Sequence, residues 1–415
     1  MIGLIGKKLG HSYSAMIHHQ LGNLNYQMIE VDENQLQQLF VEKKIQAANV
    51  TIPYKQTVLQ YLDELDESVQ VIGACNTIVY RDGKYIGYNT DAGGFEIMLR
   101  MHDIDVRNKK IIVLGNGGAS KAVCYVLRKM QAKEIILVKK NRSEETITYE
   151  QCYTLHPDAQ MIVNTSPVGM YPASDELVIN LDVFRHLEAV IDIVYNPLST
   201  LLIAKAKDRG IKACGGLMML VAQAVMAAGH FQSKKFSDEI VKKITHDLMK
   251  EKQNLVLIGM PGCGKSTIAK TLSDMTNRLV IDLDEEIVKD IQMSIKDYFV
   301  QFGEDEFRKK ETEITKRFMN ETGKIISCGG GIVTRQQNMI ALHQNGYVVA
   351  LERKLEDLEV SESRPLSSKQ SQLKELYEKR KGLYEHYADL IVENNQSIEE
   401  TCTKILEGWE EGIEL

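Results

Sequence analysis

Short apolar runs alternate with longer amphipathic ones along the whole chain. Met1-Ile2-Gly3-Leu4-Ile5-Gly6, Lys110-Ile111-Ile112-Val113-Leu114, residues 134–138, Leu255-Val256-Leu257-Ile258 and residues 325–328 have the length and branched composition of buried strands. Helical periodicity lies between them, as in residues 94–101 and 267–272. Strands alternating with helices predict an α/β architecture with mainly parallel sheets. Arg81-Asp82-Gly83-Lys84 marks a hairpin turn, and Pro53 ends the strand through Asn49-Val50-Thr51-Ile52. Residues 215–224 predict a largely buried helix interrupted by Gln223. Residues 233–239 turn polar and 240–249 are amphipathic, so a domain boundary is expected between about 229 and 253, through a linker that is partly helical.

Length, 415 residues, allows two or three domains, and 44% hydrophobic with 26% charged residues is an ordinary globular composition. A formal net charge of -7 gives no electrostatic case for nucleic acid or an anionic membrane. The most apolar window, 215–229, falls short of the roughly 18–20 residues of a membrane span. The N-terminal run lacks a basic segment and a long apolar one, so a strand is expected there rather than a signal peptide. Seven cysteines without C-x-x-C spacing predict neither a disulfide framework nor a zinc site, and the cytoplasm is the expected compartment.

The most specific chemistry is Gly259-Met260-Pro261-Gly262-Cys263-Gly264-Lys265-Ser266-Thr267, a full G-x-x-x-x-G-K-[S/T] match between a strand and a helix. Glycines there turn backbone N–H groups toward phosphates and the helix N-terminus adds positive potential. Lys265 would reach the β- and γ-phosphates and the Ser266 hydroxyl would meet Mg²⁺.

A second glycine turn, Gly115-Asn116-Gly117-Gly118-Ala119-Ser120, follows the strand 110–114, with serine where a third glycine is usual. The next strand ends not in an acid that would hold a ribose 2′-hydroxyl but in Lys139-Lys140-Asn141-Arg142, which favours a 2′-phosphate and hence NADP. Other polar clusters stand at strand ends: Ser12 and Ser14 after Gly10, Lys55 after Pro53, Asn76-Thr77, and Asn89-Thr90-Asp91, where Asp91 is both a candidate acid and a candidate helix cap. Further on come Asn164-Thr165-Ser166 and the run 191–198 closed by Tyr195-Asn196-Pro197.

In order and spacing, residues 1–230 resemble shikimate dehydrogenase. The resemblance implies a two-lobed dehydrogenase: an α/β substrate lobe (about 1–100 and 205–232) and a Rossmann NADP lobe (about 101–204). It implies that Ser12, Ser14, Thr51, Asn76, Asp91, Tyr195 and Gln223 line a shikimate site, with Lys55 and Asp91 as the catalytic pair. A lysine cation beside a ketone would stabilise the charge that hydride delivery creates and supply the proton. Gly115, Asn116, Gly117, Gly118 and Ala119 would take the pyrophosphate, Lys139, Lys140 and Arg142 the 2′-phosphate, and Ile193 and Gly216 the nicotinamide. Departures from the family pattern are Ala15 where proline is usual and two extra lysines ahead of Asn141-Arg142-Ser143.

Behind a linker at 233–252, residues 253–415 resemble shikimate kinase, a P-loop domain with a parallel sheet. Gly262, Cys263, Gly264, Lys265, Ser266 and Thr267 would hold ATP. The resemblance assigns Asp282 with Ser266 to Mg²⁺ and Asp284 to shikimate as the base. It gives Arg308, Gly330 and Arg380 to the substrate, the arginines by bidentate pairing with its carboxylate. Arg364 of Arg364-Pro365-Leu366 would stabilise the transferring phosphoryl group, with Lys265. The stretch from Leu351 to Arg364 is shorter than in many relatives.

Together the two resemblances imply consecutive reactions toward chorismate and the aromatic amino acids: NADPH-dependent reduction of 3-dehydroshikimate to shikimate, then ATP- and Mg²⁺-dependent phosphorylation to shikimate 3-phosphate. The expected partners are these small molecules, without nucleic acid or membrane; homo-oligomerisation stays open. The alternative is an oxidoreductase for quinate or a related polyol acid with a nucleotide-binding regulatory domain. Against a switch domain stand the absence of an N/T-K-x-D motif and the presence of Asp284, Arg308 and Arg380.

Overall fold

Three sheets organise the chain in the computed structural model, which describes residues 1–10, 13–358 and 370–413. The first comprises β1 (Ile2–Gly6), β2 (Tyr26–Glu30), β3 (Ala47–Val50), β4 (Glu64–Leu65), β5 (Thr77–Arg81) and β6 (Lys84–Tyr88), in the order β2-β1-β3-β5-β6-β4. β1 runs parallel to β2 and β3, whereas β5 is antiparallel to β3 and β6. The β5–β6 hairpin turns at Asp82 and Gly83, both at positive φ (51° and 83°), as a tight two-residue turn requires.

The second sheet is wholly parallel: β7 (Lys110–Leu114), β8 (Glu134–Val138), β9 (Met161–Asn164), β10 (Ala189–Asp192) and β11 (Lys212–Cys214), ordered β11-β10-β9-β7-β8. The strand order reverses at β7, so a crevice opens beyond the carboxyl ends of β7 and β9, the place where such sheets take ligands. The helices Thr90–Met101 and Leu217–Gln232 join the two sheets. Their Phe95, Met98, Leu99, Val221, Ala222 and Val225 share one buried cluster with Ile111 and Val113 of β7.

The third sheet is also parallel: β12 (Asn254–Gly259), β13 (Val280–Asp282), β14 (Ile325–Ser327), β15 (Gly346–Glu352) and β16 (Leu390–Glu393), ordered β13-β14-β12-β15-β16. Every residue of β12 is buried, as its unbroken apolar run requires for a central strand.

Residues 233–252, expected as a linker, contain the helix Asp238–Lys252. Its Val241, Ile244 and Leu248 belong to the same buried cluster as Leu217–Gln232, because the amphipathic stripe at this spacing finds an apolar face to cover. At its far end Gln253 accepts from Trp409 Nε1 at 2.7 Å, which ties the helix to the third sheet's half. Among the described residues no helix is long and apolar enough to cross a membrane.

Candidate active sites

The first site lies where the two N-terminal sheets meet. The chain leaves β3 at Val50 and turns, so that Lys55 Nζ donates to Asp91 Oδ2 at 2.6 Å, with the side chains 20% and 13% exposed. Asp91 sits in the first turn of Thr90–Met101 but does not cap it. Asn89 does, its side chain accepting the Ala92 N–H at 3.2 Å, which leaves the Asp91 carboxylate to Lys55. This corrects the expectation that Asp91 opens the helix: asparagine caps as well as aspartate does, and here it stands two residues earlier. Asn76 Oδ1 accepts the Thr90 N–H at 2.7 Å and so locks the two Asn-Thr strand ends together.

Ser14, Thr51, Lys55, Asn76, Asp91, Tyr195 and Gln223 line one cavity of about 210 Å³. Ala119, Ile193 and Gly216 complete its wall from the second sheet. Gly216 lies so close to Ile193 that a Cβ there would stand 2.0 Å from the Ile193 carbonyl oxygen. Gln223 is steadied by its Nε2 donating to Leu220 O at 2.8 Å. Burial raises the Tyr195 phenol, so it stays a neutral donor. Ser12 lies outside the described residues. Asn49 also lines this cavity and was not singled out from the sequence. It accepts from Tyr26 Oη at 2.8 Å and donates to Thr77 Oγ1 at 3.2 Å, and only its place one residue before Val50 and Thr51 could have marked it.

The glycine turn after β7 leads into the helix Gly118–Lys129. Gly115 holds φ +107°, and a Cβ at Gly117 would meet nothing within 4 Å, so the helix N-terminus stays open beside Asn116. Ser120, in place of the third glycine, is buried and donates its hydroxyl to Gly115 O at 3.0 Å. This turn fits a pyrophosphate. Lys139, Lys140 and Arg142 are exposed just past β8, apart from the cavity that holds Lys55.

The second site is a cavity of about 800 Å³ at the carboxyl ends of β12, β13 and β14. Gly262 and Gly264 hold φ +82° and +98°, conformations that glycine adopts without strain. Cys263 is buried between them, Thr267 lies on the cavity wall, and Lys265 Nζ donates to Gly259 O and Met260 O, each at 3.0 Å. Ser266 Oγ donates to Asp282 Oδ2 at 3.1 Å. Asp282 also caps the helix Leu283–Ile291, its Oδ1 accepting the Asp284 N–H at 3.1 Å.

The glycines after β14 bring these parts together. A Cβ would stand 2.5 Å from Asp284 Oδ1 at Gly329, 2.7 Å from Pro261 Cδ at Gly330 and 2.1 Å from Arg308 Nη2 at Gly331. Arg380 Nη1 donates to Gly330 O at 3.0 Å. Arg308 Nη1 donates to both Glu311 oxygens at 2.9 Å, while its buried Nε has no partner. Arg308 Nη2 donates to Glu304 Oε1 at 3.3 Å, so both arms of the fork expected to face a ligand carboxylate are engaged by glutamates of its own helix. Burial, opposed by Arg308, pushes the Glu311 carboxyl up to about 6. Arg364 lies outside the described residues.

Arg353, Asn394, Gln396 and Ile398 also line this cavity and were not found from the sequence. Asn394 Nδ2 donates to Cys263 O at 2.7 Å, and its Oδ1 accepts from Thr401 at 3.1 Å. The only local signal was the polar run Glu393-Asn394-Asn395-Gln396 directly after an apolar strand. Among the described residues no group of three or more His, Cys, Asp or Glu could hold a metal ion. Mg²⁺ needs none: it keeps several waters and takes one or two protein oxygens plus phosphates, a role the adjacent Ser266 and Asp282 oxygens fit.

A family model for shikimate kinase matches residues 261–410, and one for the shikimate dehydrogenase substrate binding domain matches residues 4–78. A shikimate dehydrogenase (NADP(+)) of Clostridium beijerinckii is 39% identical over 257 residues, covering 58% of this chain and 94% of that protein. A solved chorismate mutase/shikimate 5-dehydrogenase fusion protein from Clostridium acetobutylicum is 33% identical, with a TM-score of 0.56 over 60% of this chain and 96% of that one. A shikimate dehydrogenase solved in complex with NADP⁺ is 32% identical, with a TM-score of 0.52 over 60% of this chain and 94% of its own. The chain therefore belongs to the shikimate dehydrogenase family and carries a shikimate kinase domain in its C-terminal part.

Proposed function

We propose that the chain is a bifunctional shikimate-pathway enzyme that reduces 3-dehydroshikimate to shikimate and phosphorylates shikimate to shikimate 3-phosphate. The observation that carries this reading is the presence, in one chain, of two separate cavities. One is built around the Lys55–Asp91 pair, the other around a phosphate loop faced by Asp284, Arg308 and Arg380. NADPH supplies the hydride in the first, and ATP with Mg²⁺ supplies the phosphoryl group in the second.

In the reductase site the Lys55 ammonium stands over the ketone oxygen, stabilises the negative charge that builds there and gives it a proton from Nζ. Asp91 aims that ammonium, and Ser14, Thr51, Asn76, Tyr195 and Gln223 hold the ring hydroxyls and carboxylate. Lys139, Lys140 and Arg142 would hold the 2′-phosphate of the bound dinucleotide.

In the kinase site Asp284 takes the proton of the attacking hydroxyl, and Arg380 holds the carboxylate together with Arg308, whose Nη2 exchanges the exposed Glu304 for it. Lys265 exchanges its bonds to Gly259 O and Met260 O for phosphate oxygens. Arg353, Gln396 and Ile398 line the same cavity and are left for the base. We take the helix Asp238–Lys252 as the last element of the reductase half, which begins at residue 1, with the kinase half starting at about 253. All seven cysteines are buried and unpaired, which fits a reducing compartment such as the cytoplasm.

The test is one reaction mixture containing 3-dehydroshikimate, NADPH, ATP and Mg²⁺, with products identified by mass. Shikimate 3-phosphate is expected; a mixture that stops at shikimate, or never reaches it, overturns the corresponding half of the reading. The contacts between the halves lie at the amino ends of the kinase strands, where Asn254 opens β12, while the phosphate loop lies at the carboxyl end, about 20 Å away along the strand. Labelled intermediate should therefore mix fully with added unlabelled shikimate.

A further inference from the structure

The two halves meet along a polar seam that touches the reductase site. The segment from β10 to the helix Leu201–Asp208 carries Ile193 and Tyr195 into the cavity. Asp192, fully buried, anchors it from within. Its Oδ1 accepts the Val194 N–H at 3.0 Å and Asn164 Nδ2 at 2.9 Å, and its Oδ2 accepts from Thr200 at 2.7 Å. Those bonds secure the two ends. The middle is held from the other half of the chain: the Leu198 N–H donates to Asn345 Oδ1 at 2.9 Å, and the Ser199 N–H to Gln344 O at 2.8 Å.

Gln344, with Asn320, also braces the neighbouring loop. Gln344 Nε2 donates to Ser174 O at 2.6 Å, and Ser174 Oγ donates to Asn320 Oδ1 at 2.9 Å. Beyond Ser174, the Tyr171 N–H donates to Asn196 O at 3.0 Å, directly after Tyr195. Ser174, Gln344 and Asn345 are 0%, 2% and 2% exposed, so water does not compete for these bonds. Asn345 is itself fixed, its Nδ2 donating to Met319 O at 3.0 Å and its carbonyl accepting the Asn254 N–H at 2.7 Å. A lysine at the end of the joining helix, Lys252, lies 5.2 Å over the Tyr13 ring, which in turn packs 5.5 Å from Tyr195.

We propose that Asn345 and Gln344, residues of the kinase half, are positioning residues of the reductase site: they hold Leu198 and Ser199 so that Tyr195 stands where the carboxylated polyol binds. A buried N–H that loses its acceptor drives the backbone to shift toward another partner or toward water. Pro197 supplies no N–H, so Leu198 and Ser199 are the first donors after Asn196 that can pin the segment. The seam thus serves the reaction of one half with a side chain and a main-chain carbonyl of the other, and this rests on the reductase reading above.

The experiment uses the full chain, with both activities measured on each preparation. Asn345→Ala should raise the KM for 3-dehydroshikimate roughly fivefold, with kcat changed less than about twofold and the kinase constants unaltered. Asn345→Asp keeps an acceptor for Leu198 but loses the donor to Met319 just as alanine does. It should restore most of the KM if positioning is the role, and match alanine if the residue is merely structural. Should Asn345→Ala not fold, Gln344→Met decides: it releases Ser174 while conserving volume and should raise the same KM about twofold. An unchanged KM in the folded variants, or a parallel fall of both activities, overturns the proposal. Wild-type protein without NADPH-dependent reduction would instead sink the reductase reading, and the proposal with it.

Discussion

Both halves of this chain lead a strand through glycines into a helix, yet they brace the two turns differently. After β7 the turn is fastened from within, by Ser120 donating to Gly115 O. After β12 the loop is longer, and its own helix fastens it through Lys265, which donates to Gly259 O and Met260 O. It is also fastened from outside, by Asn394, 131 residues beyond Cys263. A turn held by a hydroxyl with no other task can rely on its own helix. A loop held by the lysine that must also reach phosphate needs a second support, and takes it from a strand end far along the chain.

The sharpest way to break the separation of the two sites is to remove each lysine. Lys265→Ala should lower phosphorylation of shikimate by about a thousandfold or more while reduction stays within about twofold, and Lys55→Ala should do the reverse. Paired assays on the same folded preparations decide it; loss of both activities in either variant would mean that the sites are not independent.

A smaller effect should separate the halves by pH. Asp192 has only neutral hydrogen-bond partners, and burial pushes its carboxyl up to about 6. Its pKa is thus higher folded than unfolded, so the stability it lends is full below about 4 and is lost as pH rises through about 6. Asp192→Asn cannot ionise. Relative to wild type it should gain about 2–3 kcal/mol in the reductase half between pH 4 and pH 7, read by urea unfolding. A difference that stays flat with pH would show that Asp192 ionises as freely folded as unfolded.

The smallest effects bear on the bracing itself. Asn394→Ala leaves the Cys263 carbonyl without its side-chain donor and should weaken ATP binding by about 1 kcal/mol, roughly fivefold in KM, without touching NADPH. Ser120→Ala should weaken NADPH by a similar or smaller amount and leave ATP alone. Crossed effects, with either substitution altering the other nucleotide, would remove the contrast.

Much of this was legible beforehand because it is local. The G-x-x-x-x-G-K-S loop, the Asp82-Gly83 turn and the buried run of β12 each follow from neighbours in sequence. The cavity residues Ser14, Thr51, Lys55, Asn76, Asp91, Tyr195 and Gln223 were reached by resemblance, and the structure brings all of them to one cavity. The helix cap at Asn89 was misassigned to Asp91, since two adjacent polar candidates look alike until the backbone chooses between them. Asn394 showed only as part of a polar run and the Leu198–Asn345 bond not at all, because a buried amide is ordinary until its distant partner is known.

The sequence by itself determined the strands, the glycine turns and the chemical types of the groups at strand ends, since these depend on periodicity and on conformations open only to certain residues. The tertiary structure alone decided which groups meet. It paired Lys55 with Asp91, packed the helix Asp238–Lys252 onto the reductase half and set Asn345 against the Tyr195 segment. Those contacts join residues tens to hundreds of positions apart. Their formation depends on how whole faces pack, which no local pattern encodes.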